Sequence, residues 1–207
     1  MKIMHVPLGA LGTNCYIFHD GQKAAMVDIG IYSDKLIDLL DDNGLSLEYI
    51  LLTHGHFDHT TGVQKLKEKT GAKVGILSED GEMLGNAALN GAASFGMEYD
   101  DIITADILFS DGDEIAFGGD KIKIIATPGH TRGGCCYLLE NEKVLFAGDT
   151  LFRQSIGRTD LYGGDMDTLI TSIKEKLMVL DDEVFVCPGH GMMTNIAYER
   201  ENNPFVR

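Results

Sequence analysis

The stretch Thr53-His54-Gly55-His56-Phe57-Asp58-His59 constrains this chain more than any other. It reads His-x-His-x-Asp-His, which puts four side chains able to ligate a metal within six positions. The apolar run Tyr49-Ile50-Leu51-Leu52 just before it reads as a buried strand that delivers the loop. Imidazoles and a carboxylate held this close suit zinc, iron or manganese. The plain alternative is a polar loop that happens to be rich in histidine, and the rest of the chain has to decide between them.

At 207 residues the chain can bury a sizeable core, and one domain spanning 1–207 is the expectation. Its 17 basic and 32 acidic residues leave a formal net charge of −15. Such a surface repels phosphate backbones and anionic membranes, and no Lys/Arg cluster relieves it, so neither nucleic acid nor membrane is expected as a partner. The N-terminal Met-Lys-Ile-Met-His-Val-Pro is not a secretory signal, and no run approaches a membrane span. The expected compartment is the cytoplasm. Cys15, Cys135, Cys136 and Cys187 have no C-x-x-C or framework spacing and read as buried thiols.

Strands are expected at 2–6 (ended by Pro7), 15–18, 24–28, 49–52, 73–77, 114–117, 121–126, 135–139, 144–146 and 183–187. Helices are expected from Ser33 to Asn43-Gly44, over 61–70, over 165–180 and over 194–201. Their alternation implies an α/β arrangement, with two halves similar in layout. Residues 79–101 read as a broken helix plus a loop, in which Met83, Met97 and Tyr99 are pocket candidates.

Three further ligating side chains occur in one recurring setting, just after an apolar run and beside glycine. They are His130 after Ile122–Ala126, Asp149 after Val144-Leu-Phe-Ala-Gly, and His190 after Val184-Phe-Val-Cys-Pro-Gly. Small residues permit the sharp turn, and the ligand then projects from a sheet edge. Added to the loop at 54–59, these three make chance a poor explanation.

His-x-His-x-Asp-His at 54–59 with His130, Asp149 and His190 resembles the metallo-β-lactamase superfamily over nearly the whole chain. The resemblance implies a four-layer αββα sandwich, two mixed sheets flanked by helices, with metals at one edge. It implies that His54, His56 and His130 hold one divalent ion, that Asp58, His59 and His190 hold a second, and that Asp149 bridges them. Zinc is the expected metal, with iron and manganese as alternatives.

Gly148-Asp149-Thr150-Leu151-Phe152, Gly157-Arg158-Thr159-Asp160, Cys187-Pro188-Gly189-His190-Gly191 and Glu199–Phe205 resemble the short bacterial hydrolases of the glyoxalase II-like branch. That implies hydrolysis of a small-molecule thioester such as S-D-lactoylglutathione by a metal-bound hydroxide, with Asp58 as the catalytic carboxylate orienting it. The helical C-terminal domain that grips glutathione in full-length glyoxalase II has no counterpart here, and where that family has His-Thr-Pro-Gly this chain has His130-Thr131-Arg132-Gly133.

Thr53, Asp28 and Thr131 are candidates for holding the imidazoles. Arg158 and Arg153 are candidates for binding a substrate carboxylate, against the plain reading of an ion pair such as Arg158 with Asp160 or Asp165. The alternative functions are a mono-iron persulfide dioxygenase, a hydrolase of another ester or lactone, and a non-catalytic metal-binding module. A β-lactamase is disfavoured by the missing signal peptide.

Overall fold

The computed structural model describes residues 1–97, 99 and 102–207. Two six-stranded mixed sheets pack face to face and carry helices on their outer faces. The first sheet has the order β1 (Lys2–Leu8), β2 (Thr13–His19), β3 (Lys23–Val27), β4 (Ser46–Leu51), β5 (Lys73–Leu77), β6 (Ile107–Phe109). β1 to β3 run antiparallel, and β3 to β6 run parallel. The second sheet is built from β7 (Glu114–Phe117), β8 (Asp120–Ala126), β9 (Cys135–Leu139), β10 (Val144–Gly148), β13 (Phe185–Pro188) and β14 (Thr194–Asn195). A short hairpin, β11 (Leu151–Phe152) with β12 (Ser155–Ile156), stands apart.

Strand alternation explains the layering. In β2, Cys15 and Ile17 face one way while Tyr16 and Phe18 face the other. The first pair joins Leu36 and Leu40 of α1 (Asp34–Asp42) and Leu66 of α3 (Val63–Thr70) on the outside of the first sheet. The second pair meets Tyr137, Leu139 and Phe146 of the opposing sheet in the central core. Leu169 of α4 (Met166–Ser172), then Ile173 and Leu177, cover the outside of the second sheet. All four cysteines are buried free thiols. No described helix is long and apolar enough to cross a membrane.

Several boundaries differ from the sequence reading. Pro7 does not end β1 but pairs with Asn14 inside it. β1 is an edge strand, where a residue without an N–H is tolerated. The three-residue β6 was not expected, because its short pattern carries little periodicity. The ligand loop folds into its own turn of helix, α2 (Phe57–Thr60), and α3 starts only at Val63. The helix capped by Asp165 passes into a π-helical turn over Ile173–Leu177. The closing segment begins as strand β14 before α5 (Ile196–Asn202), whose cap is Asn195. Within 79–101 the chain forms two 3-10 turns, Ser78–Met83 and Ala92–Phe95; Glu98, Asp100 and Asp101 lie outside the described residues.

Candidate metal centre

Every site side chain leaves the carboxyl end of a strand. Asp28 follows β3, His54 to His59 follow β4, His130 follows β8, Asp149 follows β10 and His190 follows β13. Clefts in α/β sheets open at this edge. The ligand atoms of His54, His56 and His130 lie within 4.8 Å of one another, as do those of His54, His59 and Asp149, and those of Asp58, His59 and His190. All seven residues singled out in the sequence therefore meet in one place.

Hydrogen bonds behind the cluster fix which imidazole nitrogen faces inward. Thr53 Oγ1 lies 2.7 Å from Asp28 Oδ2 and 3.0 Å from His54 Nδ1. The carboxylate can only accept, so Thr53 gives its single proton to Asp28 and His54 Nδ1–H must donate to Thr53. His130 Nδ1 lies 2.7 Å from the Arg158 carbonyl, another pure acceptor, and is also protonated. The Nε2 atoms of His54 and His130 therefore present lone pairs to each other across 3.3 Å. His56 Nδ1 also faces His130 Nε2, at 2.9 Å, so three imidazole nitrogens converge on one point, an arrangement that suits a shared cation.

Asp28 holds this frame from an unusual backbone position, with φ at +54°. A non-glycine residue is seldom found there and has to be held by its surroundings. Its carboxylate accepts from the Thr53 amide at 2.8 Å, from Thr53 Oγ1, and from His59 Nδ1 at 2.8 Å. Of the three positioning candidates, Asp28 and Thr53 act on imidazoles. Thr131 instead donates to Asp80 at 2.7 Å.

The second half of the cluster is carboxylate-rich. His59 Nε2 lies 3.4 Å from Asp149 Oδ1 and 3.2 Å from His190 Nε2, which is itself 3.2 Å from Asp58 Oδ2. Asp149 Oδ2 stands 3.7 Å from both His130 Nε2 and His190 Nε2, between the two groups. Gly189 allows this crowding: a Cβ there would clash with Asp149 Oδ1 and fall 2.7 Å from His59 Cε1.

The electrostatics fit resident cations. Burial, then the neighbouring imidazoles, holds His54 well below the usual histidine range and pushes His56 down to about 3. Both stay neutral, as metal ligation requires. Burial works against a charge on His59 as well, but Asp28, Asp58 and Asp149 raise it to about 10. The carboxylates demand positive charge at this point, and a cation on Nε2 meets it in place of the proton. His56 Nε2 and Asp149 Oδ1 are buried without a hydrogen-bond partner among the described residues. This cluster is compatible with a dinuclear metal site.

A cleft of about 380 Å³ opens over the cluster, walled by Leu11, Phe57, Phe95, Phe152 and Leu161. Arg158 lines it, but Asp160 grips the guanidinium through two bonds, at 2.7 and 2.8 Å. The plain reading of an ion pair is what Arg158 makes. Arg153 flanks the other side near His190, stacked on the Tyr198 ring at 4.9 Å, with no carboxylate partner among the described residues. Met97 is half-exposed at the rim, Tyr99 meets Thr60 Oγ1 at 2.9 Å, and Met83 is buried beneath Gly55, away from the cleft.

Asp80 was missed in the sequence. It is fully buried and accepts from the amides of Gly55 at 2.9 Å and Gly133 at 2.6 Å, besides Thr131. Burial raises its carboxyl above the usual range, while these three donors work against that rise. It bolts the ligand loop to the turn behind His130. The available signal was its place just after β5, at the same sheet edge as the ligands.

The family model described as the metallo-beta-lactamase superfamily matches residues 8–190. Hydroxyacylglutathione hydrolase GloC of Haemophilus influenzae is 36% identical over all of this chain and 98% of its own length. Among solved structures, the BLEG-1 B3 metallo-beta-lactamase superposes with a TM-score of 0.94 at 36% identity, covering 99% of each chain. TTHA1623, solved in a di-iron-bound form, gives 0.86 at 33% identity over 98% of this chain and all of that one.

Proposed function

The chain belongs to the metallo-β-lactamase superfamily, and we propose from this that it is a metal-dependent hydrolase of thioesters of the glyoxalase II-like type. The observation that carries the reading is the inward-facing cluster of lone pairs and carboxylates at the floor of an apolar cleft. The name of the Haemophilus relative supports the thioester class.

In this reading His54, His56 and His130 hold one divalent ion, Asp58, His59 and His190 hold the other, and Asp149 serves both. Zinc is proposed, with iron and manganese as the alternatives that a His/Asp set accepts. Bound there, the ions supply the positive charge that acidifies a water and polarises a carbonyl.

The side chains do the rest. Asp58 is the catalytic residue. Burial works against its ionisation, but His59 and His190 hold its carboxyl well below the usual range, so it stays an acceptor that orients the attacking water. Thr53, Asp28 and the Arg158 carbonyl keep His54, His59 and His130 in one tautomer and one orientation. Phe57, Phe95 and Phe152 limit water around the scissile bond. The departing thiolate needs little protonation, since a thiol pKa of about 8.5 makes it a competent leaving group. Arg153, which has no carboxylate partner among the described residues, is proposed to meet a negative charge on the thiol arm, with Arg158 contributing once Asp160 releases it.

The test is hydrolysis by the metal-reconstituted protein of S-D-lactoylglutathione and other thioesters, with and without chelator. Chelator-sensitive turnover is expected, and no turnover of any thioester overturns the reading. The likeness to BLEG-1 makes a β-lactam the second class to assay.

A further inference from the structure

The cleft over the metal cluster has a side compartment. It measures about 290 Å³ and shares Leu11, Phe57, Asp58 and Phe95 with the main cleft, while Ile31 and Met97 close its far side. Leu11, Ile31, Phe95 and Met97 are each about half-exposed, at 51, 47, 49 and 51%. Large apolar side chains scattered singly over a surface are ordinary, but four gathered around one concavity beside a polar site mark a binding surface.

The two hydroxyl side chains of the compartment are already committed. Thr13 Oγ1 donates to the Asp58 carbonyl at 2.9 Å, and Thr61 Oγ1 donates to the Phe57 carbonyl at 2.6 Å. Asp58 is the one charged side chain lining it among the described residues, and it belongs to the metal cluster. Across the main cleft the guanidinium of Arg158 is already neutralised by Asp160. A charged group entering the compartment would lose water and find no uncommitted side chain to pair with, whereas a hydrocarbon would gain by burial. The compartment is also rigidly placed. Gly30 in its floor lies so close to the ligand loop that a Cβ there would come within 2.7 Å of the Asp58 carbonyl oxygen. An arm seated in it is therefore fixed relative to the reacting centre.

Resting on the thioester reading, we propose that this compartment is a subsite for an uncharged aliphatic or aromatic arm of the substrate, so that the enzyme prefers thioesters carrying one apolar arm.

Two series tell the acyl arm from the thiol arm. One runs from acetyl to hexanoyl on neutral N-acetylcysteamine; the other runs from methyl to hexyl thiol under a fixed acetyl group. The metal-reconstituted enzyme is expected to gain about threefold to fourfold in kcat/KM per added methylene along one series. That is on the order of a hundredfold from acetyl to hexanoyl, carried by KM. Ile31→Asp and the closely isosteric Met97→Gln should each flatten that slope, with far-ultraviolet circular dichroism confirming that they fold. Binding of hexyl against methyl thioethers, which cannot be hydrolysed, gives a readout independent of turnover. Turnover with less than a twofold rise along both series overturns the subsite. No turnover, but tighter binding of the hexyl thioether, overturns the thioester reading and leaves the subsite standing. No turnover and equal thioether binding overturns both.

Discussion

Thr53 gives its one hydroxyl proton to Asp28, and that bond, at 2.7 Å, settles where the proton of His54 sits. With its hydrogen committed, the oxygen can only accept from His54 Nδ1, which leaves Nε2 free to face the cluster. A residue that touches no metal thus decides whether one imidazole can bind one.

Thr53→Val keeps the shape and removes this relay. It strands the His54 Nδ1–H and takes one donor from Asp28. Metal binding should weaken about 10- to 100-fold, and stability should fall by about 1–3 kcal/mol. Competition with a chelating dye and guanidinium unfolding read the two effects. Wild-type metal affinity in this variant would show that the relay is idle.

Gly189→Ala forces a methyl against Asp149 Oδ1 and His59. Either the carboxylate or the imidazole must move, and a displacement near 1 Å costs about 100-fold in rate. Metal analysis should find the second ion lost first, because His59 belongs to that half alone while Asp149 serves both. Two full equivalents of metal with normal turnover would contradict the crowding.

Metal removal should lower thermal stability. Ligands that bind only the folded state contribute about 4 kcal/mol at a thousandfold excess over Kd. For a chain of this size that corresponds to roughly 8–16 °C in Tm. Calorimetry before and after dialysis against chelator checks it, and an unchanged Tm would mean that the cluster holds no resident ion.

Alkaline pH should destabilise the fold. Burial holds the Cys136 thiol up at about 11 and the Cys187 thiol up at about 12, against an ordinary 9.0. The unfolded chain loses these protons near its ordinary value while the folded chain keeps them, so deprotonation favours unfolding. Their contribution is complete below pH 9.0 and is lost as pH rises towards about 11 and 12. Guanidinium midpoints should be level from about pH 7 to 8.5 and fall beyond that. A midpoint that holds steady to pH 11 is the contrary result.

Arg153→Glu should raise KM for a thioester with a carboxylate on its thiol arm by about fivefold, the scale of an exposed ion pair. Asp160→Asn should lower KM for the same substrate by freeing Arg158. Initial-rate kinetics separate the two, and identical KM values across all three proteins would remove both arginines from recognition.

The cluster was legible in the sequence because five of its seven side chains, His54, His56, His130, Asp149 and His190, stand beside glycine close after an apolar run, and local order carries that signal. The frame was less legible. Asp28 was one candidate among several, and nothing local shows that its φ is +54°. Asp80 stands among Glu79 and Glu82 and looks like them; only burial against Gly55 and Gly133 sets it apart. Strand β6 was missed because pairing with β5, and not its own pattern, makes it a strand. The cleft walls were least legible: Met97 was a pocket candidate, but Leu11, Ile31, Phe57 and Phe95 come from separate stretches that only the folded chain brings together with it.

Asp80 and Asn90 belong to the stretch that borders the cleft, yet both grip the backbone of the ligand loop. Asp80 takes the amide of Gly55, and the Asn90 carbonyl takes the amide of Phe57 at 3.0 Å. In a diverging lineage this ties two traits together. A mutation at Asp80 that altered substrate choice would also be tested by selection for the geometry of the ligand loop, whereas the Asn90 contact is made by its main chain. Leu11, Phe95 and Met97 border the cleft through their half-exposed side chains. Change at those three positions is comparatively unencumbered, and descendants with new substrate preferences should differ there first.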